Sequence, residues 1–240
     1  MKQLRILETA AKRKTALLIL VVTGIVWSSV PMVAQEDFYY DGATNQNFGP
    51  KSVPATSVIF DPDHVLTRSE LAALGSNGPL GATPAVRALA FNAGHHQTFT
   101  FAASGKVGCC GTANVGPDGY SGSSNIDSLK SISGFAAPVK FPLVGVFTDG
   151  RPKGAAPPDY NYSKGVRLRT FSPRLNQVFF IGDGLTGTGS GHRQTFHVPP
   201  AATELWLGFA DAHGFNGPPG FYGDNPGKLR VSGTLHTPAQ

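Results

Sequence analysis

The chain has 240 residues, of which 30 are Gly and 19 Pro, and its apolar residues come in short runs rather than in long stripes of helical period. Such a length holds one ordinary domain with additions or at most two small ones. Of the formal net charge of +5, +4 sits in the first 34 residues, with five Lys/Arg against one Glu; the remainder carries 15 Lys/Arg against 14 Asp/Glu, which removes the electrostatic argument for a nucleic-acid partner.

Lys2, Arg5, Lys12, Arg13 and Lys14 precede an apolar run from Ala16 to Trp27 that ends in small residues near Ala34. This is the layout of a secretory leader spanning residues 1–34. A retained anchor is the rival reading, but Thr23 and Gly24 break the run, which falls short of the ~20 apolar residues of a spanning helix. Cleavage is expected near Ala34. No second apolar run follows, so no membrane span is expected after leader removal, and the expected address is secreted, periplasmic or cell-surface.

Residues 35–83 read as an N-terminal extension or linker, since Gln35 to Val53 is polar and contains few core candidates. One element stands out within it. Thr67 and Glu70 have the capping-box spacing, with Leu66 and Leu71 placed as a hydrophobic staple, which predicts a short helix through Ala73. Asp61-Pro62-Asp63 lacks the glycine and terminal Glu of an EF-hand loop and reads as a turn.

From Pro84 the pattern becomes regular. Arg87–Phe91, a turn at Asn92-Ala93-Gly94, and Gln97–Ala102 alternate with period two, placing Phe99 and Phe101 on one face. Further strands are expected at 139–147, 166–171, 178–181, 194–198, 204–209 and 228–235, with Leu205, Leu207 and Phe209 sharing a core face. Strands this short, with no strong helix between them, describe an all-β antiparallel sandwich or small barrel over residues 84–236.

The two cysteines, Cys109 and Cys110, are adjacent, which excludes a framework of long-range disulfides. Two states stay open: a strained vicinal disulfide, because neighbouring Cα atoms lie ~3.8 Å apart, below the usual window of roughly 4.4–6.8 Å, or a pair of reduced thiols. His95, His96, His192, His197 and His213 show no zinc-ligand spacing and read as surface histidines. A polysaccharide hydrolase needs two carboxylates ~5–9.5 Å apart, and Asp118, Asp149, Asp183 and Asp211 cannot be paired from sequence. Gly182-Asp183-Gly184 and Gly187–Gly191 lack a phosphate-loop continuation and read as a loop between strands. Asn161-Tyr162-Ser163 matches a glycosylation sequon by a triplet that is common by chance.

The richest stretch for function lies between the last two strands. Asp211, Asp224 and Asn225 sit among glycines, which let carbonyl and side-chain oxygens converge on one point, as a calcium ion requires. The same residues can equally serve turn conformation through hydrogen bonds to their own backbone.

Taken in order, Phe91–Gly94, Ala102–Gly105, Val115-Gly-Pro-Asp-Gly119, Phe141–Val146, Phe180-Ile-Gly182, Phe196-His-Val-Pro199, Leu207–Asp211 and Tyr222-Gly-Asp-Asn-Pro-Gly227 resemble the bacterial galactophilic lectins of the LecA (PA-I) type. The likeness runs from about Ala90 to Leu235 and rests on the order of the pieces rather than on any one of them. It implies a jelly-roll-like, galactose-binding-like β-sandwich with calcium at one end. It also implies a metal set of Asp211, Asp224, Asn225 and the carbonyls of Phe221 and Cys109, and a sugar site around Asp211, Ala212, His213, Phe221, Tyr222 and Asp224. Phe215, Phe221 or Tyr222 would pack on a sugar ring. The chain departs from the lectins in a longer Asp211-to-Phe221 connection and in having no His within 121–126, where theirs contacts galactose. The resemblance implies a galactose-like carbohydrate partner, and these departures bear on the specificity for galactose itself.

The expectation is an exported, non-catalytic, calcium-dependent carbohydrate-binding protein; the alternatives are a surface or adhesive scaffold with a structural calcium and, behind it, a polysaccharide hydrolase. Weak hydroxyl contacts at a single shallow site call for several sites together, as a homo-oligomer would supply.

Overall fold

A computed structural model describes residues 42–110 and 113–239 of the chain. The expected leader and its cleavage point lie outside the described residues. No helix among them is long and apolar enough to cross a membrane.

Nine strands carry the architecture: β1 (Thr44–Pro54), β2 (Val86–Ala90), β3 (Thr98–Val107), β4 (Val144–Thr148), β5 (Thr170–Phe171), β6 (Phe179–Phe180), β7 (Thr195–His197), β8 (Glu204–Gly208) and β9 (Gly227–Thr237). They form a five-stranded sheet in the order β1-β9-β3-β7-β5 and a four-stranded sheet in the order β6-β4-β8-β2. The pairings nest: β1 with β9, β2 with β8, β3 with β7 and β4 with β6, all antiparallel. This is one long hairpin rolled into a double sheet, the jelly-roll arrangement. Only β5, parallel to β7, stands outside the nest.

The sheets face each other across an aromatic core. Along β3, Phe99 and Phe101 point inward while Thr98 and Thr100 are half-buried. Phe99 meets Phe147 of β4 with ring centroids 5.7 Å apart, and Phe196 of β7 meets Phe179 of β6 at 5.7 Å. Phe171 stacks on Phe196 at 5.0 Å. Leu205 and Leu207 of β8 and then Phe209 are fully buried, as their alternation predicts. Each such side chain contributes roughly 1.5–3 kcal/mol by leaving water.

The segment expected as an extension is part of the sandwich. β1 pairs with β9 along nearly its whole length, and Val53, Ala55, Val58, Ile59 and Phe60 are buried. It escapes a pattern reading because it is an edge strand with few buried positions, and Gly49-Pro50 interrupts its register between Phe48 and Lys51. The helix within this segment forms as expected: α1 (Arg68–Leu74) has Thr67 accepting the Glu70 N–H and Glu70 accepting the Thr67 N–H, a full capping box. Lys130 beside Glu70, with the Thr67 bonds, holds that carboxyl down at about 2. The glycine-rich run read as a loop is a hairpin instead, Leu185–Gly187 with Ser190–Arg193, pinned by Asp183, whose carboxylate accepts the Leu185 and Gly189 N–H groups.

Candidate functional site

At one end of the sandwich three distant segments meet. The first is the β8–β9 connection. β8 runs through Phe209 and Ala210 to Asp211, and the chain returns through two short 3₁₀ turns, His213–Phe215 and Tyr222–Asp224. Tyr222 ties this return to the strand end: its ring is fully buried, its hydroxyl donates to the Phe209 carbonyl at 2.9 Å and accepts the Asp211 N–H at 3.1 Å. Beneath it, Phe209 stacks on Phe141 at 4.8 Å, Phe215 packs edge-on to Phe141, and Tyr120 packs edge-on to Phe215. The loop thus has its own apolar footing.

The second segment follows α1. Asn77 clamps the loop by accepting the Gly223 N–H at 2.9 Å and donating to the Phe221 carbonyl at 3.3 Å, and the Leu80 N–H bonds the Gly223 carbonyl. The approach is so close that a Cβ on Gly223 would stand 2.0 Å from the Gly75 carbonyl oxygen, which only glycine avoids. The third segment is the end of β3, where the Gly108 N–H bonds the Pro226 carbonyl and brings Cys109 beside the loop.

Asp211 and Asn225 lie at the centre, 2 % and 1 % exposed. The Asn225 amide donates to Asp211 Oδ2 at 2.7 Å, and the Ala212 N–H donates to Oδ1 at 2.8 Å. Asn225 Oδ1 is buried with no hydrogen-bond partner, and no Lys, Arg or His pairs with Asp211 among the described residues. Burial therefore pushes the Asp211 carboxyl up to about 7 against those two hydrogen bonds, and the nearby Asp224 charge pushes the same way. A charged group in a site of low polarity without a counter-ion favours its neutral form.

Of the residues expected to hold a metal, Asp211 and Asn225 are in direct contact, Phe221 and Asp224 belong to the same loop, and Cys109 is brought alongside. Asp211 and Asp224 lie near enough to Cys110 to disfavour its thiolate. Among the described residues no three His, Cys, Asp and Glu side chains converge as a metal cage, so a cation here would draw on amide and carbonyl oxygens as well. That donor chemistry suits a hard ion.

Two expectations are corrected. Tyr222 and Ala212, expected in the sugar site, are buried beneath the loop, and so is Asp211, so none of the three touches a sugar at the surface directly; the Tyr222 ring, which sequence could assign to stacking, is an anchor. Phe215 is likewise buried. The surface aromatics are Phe221, 42 % exposed, and the His213 ring packed against it at 5.1 Å. Of the two states left open for Cys109 and Cys110, the structure has the free thiols. The Cys110 S–H donates to Cys109 Sγ at 3.4 Å and Cys109 Sγ lies 3.6 Å from the Tyr120 hydroxyl. The bond to Cys109 and partial burial push the Cys110 thiol up to about 11.

Sequence reasoning missed Asn77 and Tyr120. Ser76-Asn77-Gly78-Pro79 carries an ordinary turn signal, and nothing local says which distant loop it holds. The exposed histidines, His95, His96, His192 and His197, lie apart from this site, as expected of surface residues.

In comparisons with known proteins, no family model matches the chain, and no curated protein or solved structure matches it significantly. The likeness to LecA-type lectins stands on the residues quoted for it.

Proposed function

We propose that the protein is an exported, calcium-dependent carbohydrate-binding protein without catalytic activity. One observation carries the reading: a buried carboxylate without a cationic partner beside a buried amide oxygen without any partner, where three segments converge. Asp211, Asn225 and Asp224 would supply side-chain oxygens, and Cys109 and Phe221 carbonyl oxygens, to a hard cation. Bound there, calcium would supply positive charge and a position for sugar hydroxyls. The chain's own residues do the rest. Tyr222 and Asn77 hold the loop in one shape, and the exposed Phe221 and His213 rings offer an apolar platform for the C–H face of a sugar.

The depth of Asp211 and Asn225 favours a second reading, in which the ion is structural and the sandwich is an adhesive scaffold that takes no sugar.

Calorimetry of calcium binding, repeated in buffers of different ionisation enthalpy, tests the cation. The expected result is binding accompanied by proton release at pH 6.5, where Asp211 is partly protonated, and by almost none at pH 8.5. Absence of binding would end the reading. A glycan array developed with calcium and with EGTA then separates the alternatives: chelator-sensitive signal supports the lectin, and calcium binding without any sugar signal supports the scaffold.

A further inference from the structure

Two hollows open beside the loop end, and they share a wall. One, about 460 Å³, reaches Cys109, Val115 and Tyr120. The other, about 310 Å³, lies on the far side of Gly119 and Tyr120, which line both. A small ligand pocket starts at about 300 Å³, so each accommodates one small ring.

The second hollow has a distinct chemistry. Asp118 and Arg167 both line it without pairing as an ion pair. Asp118 is held in place from behind by the Asp183 N–H, donated to Oδ1 at 2.9 Å. Its Oδ2 makes no hydrogen bond of good geometry, although the Thr188 hydroxyl is close enough to favour the charged carboxyl against burial, which raises it. Ser121 and Thr186 add hydroxyls, while Val139, Val166 and Leu185 form an apolar side. The Leu185–Arg193 hairpin that builds the outer wall is fixed by the two N–H bonds to Asp183.

This lining selects by charge. A simple anion would face Asp118 and a simple cation would face Arg167, so the occupant is neutral overall. Hydrogen-bonding side chains on one side and aliphatic ones on the other match a pyranose, with its rim of hydroxyls and its apolar C–H face. The first hollow lies against the same Gly119–Tyr120 wall, so an occupant long enough to cross that wall would reach towards the calcium loop.

We infer that the Asp118–Arg167 hollow is a second saccharide subsite, so that the protein takes a chain of two or more sugar units across the Tyr120 wall rather than a single terminal sugar. The inference rests on the carbohydrate reading and adds length selectivity to it.

The test is a glycan array carrying mono- to hexasaccharides of galactose, glucose, mannose and N-acetylglucosamine, developed with calcium and with EGTA for the wild type, Arg167→Ala and Asp118→Asn. The expected result is chelator-sensitive binding that strengthens about tenfold from one unit to two or more, with both variants losing that gain and keeping the single-unit signal. Arg167 is exposed, so its variant keeps the fold. Chelator-sensitive binding that ignores chain length, or a gain that survives in Arg167→Ala, overturns the subsite and leaves the lectin reading standing. Absence of any chelator-sensitive sugar signal removes both. Uptake of free glycine by the wild type but not by Arg167→Ala, followed by NMR, would assign the hollow to a zwitterion and also overturn the subsite.

Discussion

The space between the two sheets and the loop end are both shut off from water, yet opposite chemistry fills them. Between the sheets, Phe99, Phe101, Phe147, Phe179 and Phe196 meet ring to ring. At the loop end, Asp211 and Asn225 are as deeply buried, but one lacks a counter-charge and the other leaves an oxygen unbonded. The first region stabilises the fold by itself. The second costs free energy that a bound partner would offset.

Substitutions sharpen that contrast, beginning with the largest effect. Phe147→Ala would leave a cavity between the sheets and lower stability by about 3–5 kcal/mol in denaturant titrations, equally with calcium and with EGTA. Gly223→Ala would force the loop away from Gly75 at a cost of about 1–3 kcal/mol. Unlike the core variant, it would also abolish the response to calcium, because the Asn77 clamp and the Phe221 carbonyl move together. Tyr222→Phe would keep the ring but leave the Asp211 N–H unpaired, while the Phe209 carbonyl keeps the Ile59 N–H, at about 1–3 kcal/mol. The smallest effect lies outside both regions: Thr67→Ala removes the capping box of α1 for about 1 kcal/mol, with the calcium response unchanged.

The pH dependence of the loop end has a definite sign. The Asp211 carboxyl is raised on folding from 3.8 to about 7, so the fold favours its protonated form. In EGTA its contribution to stability is full below about pH 4 and is lost as pH rises through 7. Asp211→Asn carries no such titration, and the wild-type-minus-variant stability in EGTA should therefore fall over that window. A difference that stays flat from pH 4 to 8 would count against a carboxylate buried without a counter-ion.

The parts of the molecule that could be read from sequence are those in which one strand face is buried and the other is not. Phe99 and Phe101 between threonines, and Leu205, Leu207 and Phe209, declare β3 and β8 by alternation, and Thr67 with Glu70 declares α1. β1 does not declare itself, because an edge strand has little to bury and its Gly49-Pro50 step resembles a turn. At the site, the oxygens of Asp211, Asp224 and Asn225 were visible as a glycine-rich cluster. Their support was not: Asn77 and Tyr120 come from segments far off in the chain, and their roles exist only once the jelly roll brings the ends together. Tyr222 shows a further limit, since a tyrosine has both a ring to stack and a hydroxyl to anchor, and burial alone decides between them.

The most direct test of the claim that the loop end is incomplete without a cation is thermal unfolding at pH 7.5 in calcium and in EGTA, for the wild type and Asp211→Asn. The account predicts that calcium at a hundred times its Kd stabilises the wild type by about 2.7 kcal/mol, that Asp211→Asn shows no response, and that in EGTA the variant is the more stable of the two. Identical melting of the wild type in calcium and EGTA, with Asp211→Asn no more stable than it in EGTA, would contradict the account and leave the Asp211–Asn225 pair as a structural hydrogen bond.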